Sequence, residues 1–268
     1  LLALESTPHD QHDFRLLLDT VREAGSLAMT LFRQRVRNWN KADGSPVTEA
    51  DIAVDRLLRR KLTGARPTYG WLSEETPDDL TRSRSDKFWV ADPIDGTRAF
   101  VNGTDEWCIA VALVTKGRPL MAAVYRPVPE EFYEAAAGQG SRLNGSLLTT
   151  PERHAIGGSR VVGSRGALKK IGASIEAHGN TDVPIALRLC LVASGVYDAA
   201  VSTGRKHDWD VAAGDLILFE AGGAVTDLHG QPYRFNRAET WQSGMVAASK
   251  PLHHQILRVV GESDGESK

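Results

Sequence analysis

Cysteine is nearly absent: 268 residues hold only Cys108 and Cys190. Both lie in apolar runs, Trp107-Cys108-Ile109-Ala110-Val111 and Leu189-Cys190-Leu191-Val192, where buried free thiols are expected rather than a disulfide. That usage argues against a disulfide-stapled secreted scaffold and fits a reducing, cytoplasmic setting. No apolar run approaches the length of a membrane span, and residues 1–13 lack the basic and apolar regions of a signal peptide. Membrane contact, where there is any, is expected to be peripheral, at the inner membrane. The chain starts at Leu1 rather than Met, so the natural N-terminus is expected upstream. An excess of charge is missing too: 32 basic and 34 acidic residues leave a formal net charge of −2. No global field then favours nucleic acid or an acidic membrane, and partners must be recognised locally. Internal repeats and low-complexity segments are absent as well.

What is there reads as mixed helix and strand. After a loose tail over residues 1–9, Phe14, Leu17, Leu18, Val21, Ala24, Leu27, Ala28, Leu31 and Phe32 recur at helical spacing, predicting a long amphipathic helix from Asp10 to about Arg37. Residues 38–46 are polar and turn-rich, a loop or hairpin carrying Lys41 and Asp43. Thr48 is a candidate N-cap for a second helix through Ile52, Val54, Leu57, Leu58 and Leu62, with Asp51 completing a capping box. Cys108–Val114, Leu120–Arg126 and Glu131–Ala137 read as successive strands of an antiparallel meander carrying the two helices. Residues 145–160, rich in Gly, Thr, Pro and Ser, are the candidate boundary, which divides the chain into 10–150 and 151–262. Beyond it come a strand over Arg160–Gly163, a helix over about Ala167–His178, an apolar helix over Ile185–Ser194 and a strand over Val196–Val201. A helix over Val211–Ala221 stopped by Gly222-Gly223, strands over Val225–Leu228 and Gly244–Ala248, and a helix over Pro251–Val260 complete an α/β layer.

The chemistry centres on Trp89-Val90-Ala91-Asp92-Pro93-Ile94-Asp95-Gly96-Thr97. An apolar strand delivers Asp92 and Asp95 to a turn, where Pro93 is expected to end the strand and let both carboxylates converge. Carboxylates held that close need a cation, and oxygen ligands select Mg, Mn or Ca over zinc. Gly96 and Thr97 then offer backbone and hydroxyl to an anion; an Asp-rich turn with Thr97 as helix cap is the plainer alternative. Gly70-Trp71-Leu72-Ser73-Glu74-Glu75 ends in two acids that read as solvated alone, yet it precedes the Asp92 strand closely enough for adjacent strands to present both acidic ends. Asp210, where a loop feeds a helix, is either an N-cap or a further ligand. Together Glu74, Asp92, Asp95 and Asp210 exceed what one metal requires and suggest a multi-cation site for phosphoryl transfer.

The blocks Ser73-Glu74-Glu75, Asp92-Pro93-Ile94-Asp95-Gly96-Thr97 and Trp209-Asp210-Val211-Ala212-Ala213-Gly214 resemble the signature of the inositol monophosphatase superfamily of lithium-sensitive, magnesium-dependent phosphatases. Within it the chain looks most similar to bacterial 3'(2'),5'-bisphosphate nucleotidases of the CysQ type, over roughly residues 13–260. The resemblance implies an α+β and α/β chain folded as a layered αβαβα sandwich. It implies magnesium, roughly two to three ions, held by Glu74, Asp92, the Ile94 carbonyl, Asp95 and Asp210. Thr97 and Glu74 would deprotonate the attacking water, Asp51 would support the cluster, Gly96 and Thr97 N–H groups would hold phosphate, and Lys41 would sit on a mobile flap. The implied reaction is hydrolysis of adenosine 3'(2'),5'-bisphosphate in sulfate assimilation. An inositol-1-phosphatase or broad sugar phosphatase is the alternative on the same chemistry, and a phosphate-binding regulatory protein the non-enzyme one.

The expected partner is a small phosphate ester met by a monomer or homodimer. Val183-Pro184 replaces the Gly-Ser or Gly-Thr pair of inositol-type members, and Ser202-Thr203 stands where many of them carry an acid. Arg205-Lys206-His207 places cations beside Asp210, suited to a second phosphate. A solvated basic loop is the plain alternative. Ser164-Arg165 is a further candidate contact.

Overall fold

The first helix, α1 (Pro8–Phe32), buries Leu17, Val21, Ala24 and Ala28, a stripe at spacings of three and four. It stops short of the expected Arg37. A short antiparallel hairpin follows, β1 (Asn38–Asn40) and β2 (Pro46–Thr48). Thr48 caps α2 (Glu49–Ala65) as expected: its hydroxyl accepts from the N–H of Ala50 and Asp51, and its own N–H donates to Asp51 Oδ2 at 2.8 Å. This computed structural model describes residues 8–262 except 33, 35, 43, 173–174 and 179–182; Asp43 and most of the expected tail lie outside them.

Seven strands then form one sheet: β3 (Gly70–Ser73), β4 (Lys87–Asp95), β5 (Cys108–Thr115), β6 (Arg118–Arg126), β7 (Glu131–Ala136), β8 (Ser141–Leu143) and β9 (Ser146–Leu147). They lie side by side in chain order, antiparallel except for β3 and β4, which run parallel. Between β4 and β5 lies the short helix α3 (Thr97–Asn102).

The second sheet takes its strands from β10 (Arg160–Gly163), β11 (Glu176–His178), β12 (Ala199–Ser202), β14 (Gly223–Thr226) and β16 (Met245–Ser249), in the order β11-β10-β12-β16-β14. β13 (Lys206–His207) and β15 (Trp241–Gln242) pair separately. Four helices accompany them: α4 (Arg165–Ile171), α5 (Ile185–Ala193), α6 (Asp208–Glu220) and α7 (Lys250–Glu262). The helix expected over Ala167–His178 is therefore too long. It ends at Gly172, whose φ of 100° leaves the helical region, and Glu176–His178 joins the sheet parallel to β10. The strand expected from Val196 begins at Ala199, because a turn at Gly195 and the 2.9 Å bond from the Val196 N–H to Leu191 O occupy the preceding residues.

The layers stack as α1 and α2, seven-stranded sheet, α5 and α6, five-stranded sheet, α4 and α7. Every residue of α5 is buried, as is Val211–Leu218 of α6, because a sheet covers each side of these helices. They approach closely at Gly214, where a Cβ would lie 2.7 Å from Leu189 Cβ. One apolar cluster runs from Leu72, Phe88 and Val90 through Leu189 and Leu216 to Ala200 and Ala247. Arg118 of β6 pairs with buried Asp215 of α6 at 2.9 Å. Burial pushes the Asp215 carboxyl up to about 6 against the pull of Arg118.

Candidate active site

The parallel pairing of β3 with β4 sets Ser73 beside Ala91, and the Glu74 N–H donates to Ala91 O at 3.3 Å. Glu74 and Asp92 thus leave neighbouring strands side by side. Residues three apart on a regular strand face opposite sides of the sheet. Here Asp92 pairs with Ala110 and Asp95 with Cys108, three residues against two, so a bulge rephases the strand and lets both carboxylates reach one cleft. Pro93 sits in this bulge and does not end the strand as expected; β4 continues to Asp95, and the missing N–H falls where the ladder is already broken. Gly96 closes the turn with φ 101°, and a Cβ there would stand 2.6 Å from Glu106 O.

Two helix starts complete the cluster. The Ala186 N–H, in the first turn of α5, donates to Asp95 Oδ2 at 3.0 Å. Asp210 is the third residue of α6 rather than its N-cap: His207 holds that place, and its N–H donates to Asp210 Oδ2 at 2.8 Å. The shared cleft has a volume of about 450 Å³ and is lined by Glu74, Asp92, Ile94, Asp95, Thr97 and Asp210.

Electrostatics define what this cleft can hold. Burial, then the charges of Glu74, Asp95 and Asp210, push the Asp92 carboxyl well above its ordinary range. Asp95 is raised by burial and by Asp210, with the Ala186 N–H working the other way. Asp210 rises to about 7, from burial against the His207 N–H and with Glu74 adding to it. Among the described residues, Asp92 Oδ1 is buried without a hydrogen-bond partner. A buried, unpartnered carboxylate oxygen among other carboxylates fits a hard divalent cation, which would discharge the repulsion and satisfy that oxygen.

Beside the carboxylates, the Thr97 hydroxyl lies 2.9 Å from Asp51 Oδ1 and 3.2 Å from Ile94 O. Burial raises the Asp51 carboxyl, while hydrogen bonds from Thr48 and Thr97 hold it down. Lys41 reaches from the hairpin to Glu74 at 2.7 Å and Glu75 at 2.6 Å. Burial lifts Glu75 to about 7 against the Lys41 hydrogen bond. Both thiols are buried and raised by that burial, so neither Cys108 nor Cys190 is an activated nucleophile.

Arg205, Lys206 and Ser164 line the same cleft as the acids. Burial lowers the Lys206 ammonium despite Asp210. His207 does not line the cleft: its ring stacks on Trp209 at 4.1 Å and meets Trp241 at 3.5 Å, with Nδ1 3.1 Å from Thr240 Oγ1. Ser202, which stands where many relatives carry an acid, lines the cleft; sequence reasoning missed Arg98 and above all Arg188, which reaches the cleft from α5 and is only 5% exposed. The signal was present, since a charged residue buried in an apolar run demands a polar partner; its Nε donates to Val183 O at 2.7 Å.

Comparison with known proteins agrees with this geometry. The inositol monophosphatase family model matches residues 10–264. The 3'(2'),5'-bisphosphate nucleotidase CysQ of Aggregatibacter actinomycetemcomitans is 30% identical over 241 residues, covering 86% of this chain and 90% of that one. An inositol monophosphatase from Thermotoga maritima, 28% identical, superposes with a TM-score of 0.79 and covers 96% of this chain and 99% of its own. The suhB protein of Bartonella henselae, 23% identical, shares the fold at a TM-score of 0.80, covering 95% of this chain and 98% of its own. By sequence across most of its length and by its layered sandwich, the chain belongs to the inositol monophosphatase family, a superfamily of metal-dependent phosphatases.

Proposed function

We propose that the protein removes the 3'(2')-phosphate of adenosine 3'(2'),5'-bisphosphate. The observation that carries this reading is the mixed lining of the cleft, in which Arg188, Arg205 and Lys206 join the carboxylates. A monoester needs only the acidic side and its cations. A second phosphate needs positive charge away from them. The similarity to CysQ nucleotidases points the same way.

Glu74, Asp92, Asp95, Asp210 and the Ile94 carbonyl are the residues we assign to magnesium, roughly two to three ions. Bound there, the cations supply charge neutralisation for the phosphoryl group and acidify water near neutral pH. The chain's own residues do the rest. The Thr97 hydroxyl hydrogen-bonds to Asp51, so that as its oxygen takes a proton from the attacking water its own proton passes to the Asp51 carboxylate. Asp51 holds that orientation because Thr48 fixes its other oxygen at 2.6 Å. Glu74 is the second proton acceptor, and Lys41 positions its carboxylate. The N–H groups of Gly96 and Thr97 orient the phosphate, while Arg205, Lys206 and Ser164 receive the distal part of the substrate. Lithium is expected to inhibit by occupying a magnesium position, as the family resemblance implies. A cytoplasmic role in sulfur assimilation is part of the same reading. No described helix is long and apolar enough to cross a membrane. We also divide the chain into domains over 10–150 and 151–262, supported by each large sheet drawing its strands from one side of that boundary.

Phosphate release from adenosine 3',5'-bisphosphate and from inositol 1-phosphate, with and without magnesium, tests this reading. The nucleotide is expected to be the better substrate, and a preference for the inositol ester would replace this reading with the inositol phosphatase alternative.

A further inference from the structure

Arg205 lines two cavities. One is the cleft described above; the other is an open groove of about 680 Å³ lined in part by Trp241 and Gln242 of β15. Arg234, Arg237 and Trp241 also line the groove, with Asp227 and Glu239 as its acids. The Asp227 carboxylate is committed to its own turn, accepting the N–H groups of His229 and Gln231 at 2.8 Å each. Arg205 and Arg234 have exposed side chains that make no ion pair or hydrogen bond among the described residues. Arg237 donates to Trp241 O and keeps further guanidinium donors. Trp241 is 42% exposed although one side of its ring is backed by His207, itself stacked on Trp209. A solvent-facing indole held rigid from behind, flanked by arginines, matches the way proteins grip single nucleotides through a base platform and phosphate contacts.

We propose that this groove binds a second nucleotide, joined by a phosphodiester to the 5' side of the nucleotide in the cleft. Arg205 would meet the linking phosphate, Trp241 the second base, and Arg234 with Arg237 the terminal phosphate. The placement rests on the bisphosphate reading of the cleft, and it extends the substrate class to short 3'-phosphorylated dinucleotides.

The test is a binding comparison without turnover. The full chain in magnesium buffer is titrated calorimetrically with the dinucleotide pApA, whose 3' end is a free hydroxyl, and with adenosine 5'-monophosphate. The dinucleotide is expected to bind roughly ten-fold more tightly. Arg234→Ala, a change at an exposed side chain, is expected to erase that advantage and leave the mononucleotide unchanged. Trp241→Phe is expected to remove the fluorescence quenching that the dinucleotide causes. Equal affinities for the two ligands, or an unaltered preference in Arg234→Ala, would overturn the assignment. Failure of the bisphosphate reading itself shows separately, as absent phosphate release from adenosine 3',5'-bisphosphate.

Discussion

Thr97 Oγ1 donates to Asp51 Oδ1 at 2.9 Å, while Asp51 Oδ2 accepts the Thr48 hydroxyl at 2.6 Å and the Thr48 N–H at 2.8 Å. One carboxylate therefore completes the capping box that Thr48 begins on α2 and accepts the hydroxyl of Thr97, which lines the cleft. A capping box, ordinarily a device of helix stability, is here the support of a proton acceptor.

Thr97→Ala is expected to lower kcat by roughly a hundred-fold or more, with Thr97→Ser retaining most of the activity. Asp51→Asn should act through the same bond, so the double variant should be little worse than either single one. Steady-state kinetics on the four variants decide this. Additive losses would separate the two residues.

The carboxylate cluster makes a prediction about stability. Asp95 is buried beside other acids, so Asp95→Asn in chelator is expected to match or exceed the wild type in Tm. Magnesium should raise the wild-type Tm and leave the variant's unmoved. A differential thermal scan with and without magnesium reads both effects.

How the site arises from the sequence explains what could be read early. The strand-then-acid pattern at Leu72–Glu74, the apolar strand leading into Asp92, the Thr48 and Asp51 capping box, and the apolar periodicity of α1 are local features, and the sequence pattern matched the structure there. The bulge at Pro93 was not legible, because it depends on the register against Ala110 and Cys108. Arg188 was hidden because its apolar neighbours fit a buried helix whatever it faces. His207 looked like part of a cationic patch, yet Trp241, more than thirty residues later in the chain, supplies the ring against it. Such contacts are tertiary, and neither period nor composition records them.

Close packing of the two central helices has a measurable cost when disturbed. Gly214→Ala would put a Cβ 2.7 Å from Leu189 Cβ and 3.1 Å from Ala186 O. The strain should outweigh the better helix propensity of alanine, for a net loss on the order of 1–2 kcal/mol. Because Ala186 also holds Asp95, magnesium affinity should fall alongside the Tm.

Two buried groups away from the cluster give opposite pH dependences. Burial drops His253 from 6.5 to about 4, so the unfolded chain takes the proton first and stability falls as pH drops from 6.5 towards 4. Burial raises Asp215 from 3.8 to about 6, so the folded chain holds its proton longer and stability falls as pH rises across that interval. His253→Gln should lessen the acid-side loss, and Asp215→Asn should remove the opposing slope. Tm measured from pH 4 to 7 on both variants checks the signs.

The most direct test of the carboxylate site is phosphate release from adenosine 3',5'-bisphosphate by wild type, Asp95→Asn and Asp210→Asn, each titrated with magnesium after chelation. The account predicts no release in chelator, restoration of the wild type by magnesium, and no restoration of either variant. Release that persists in chelator, or variants as active as the wild type, would contradict it.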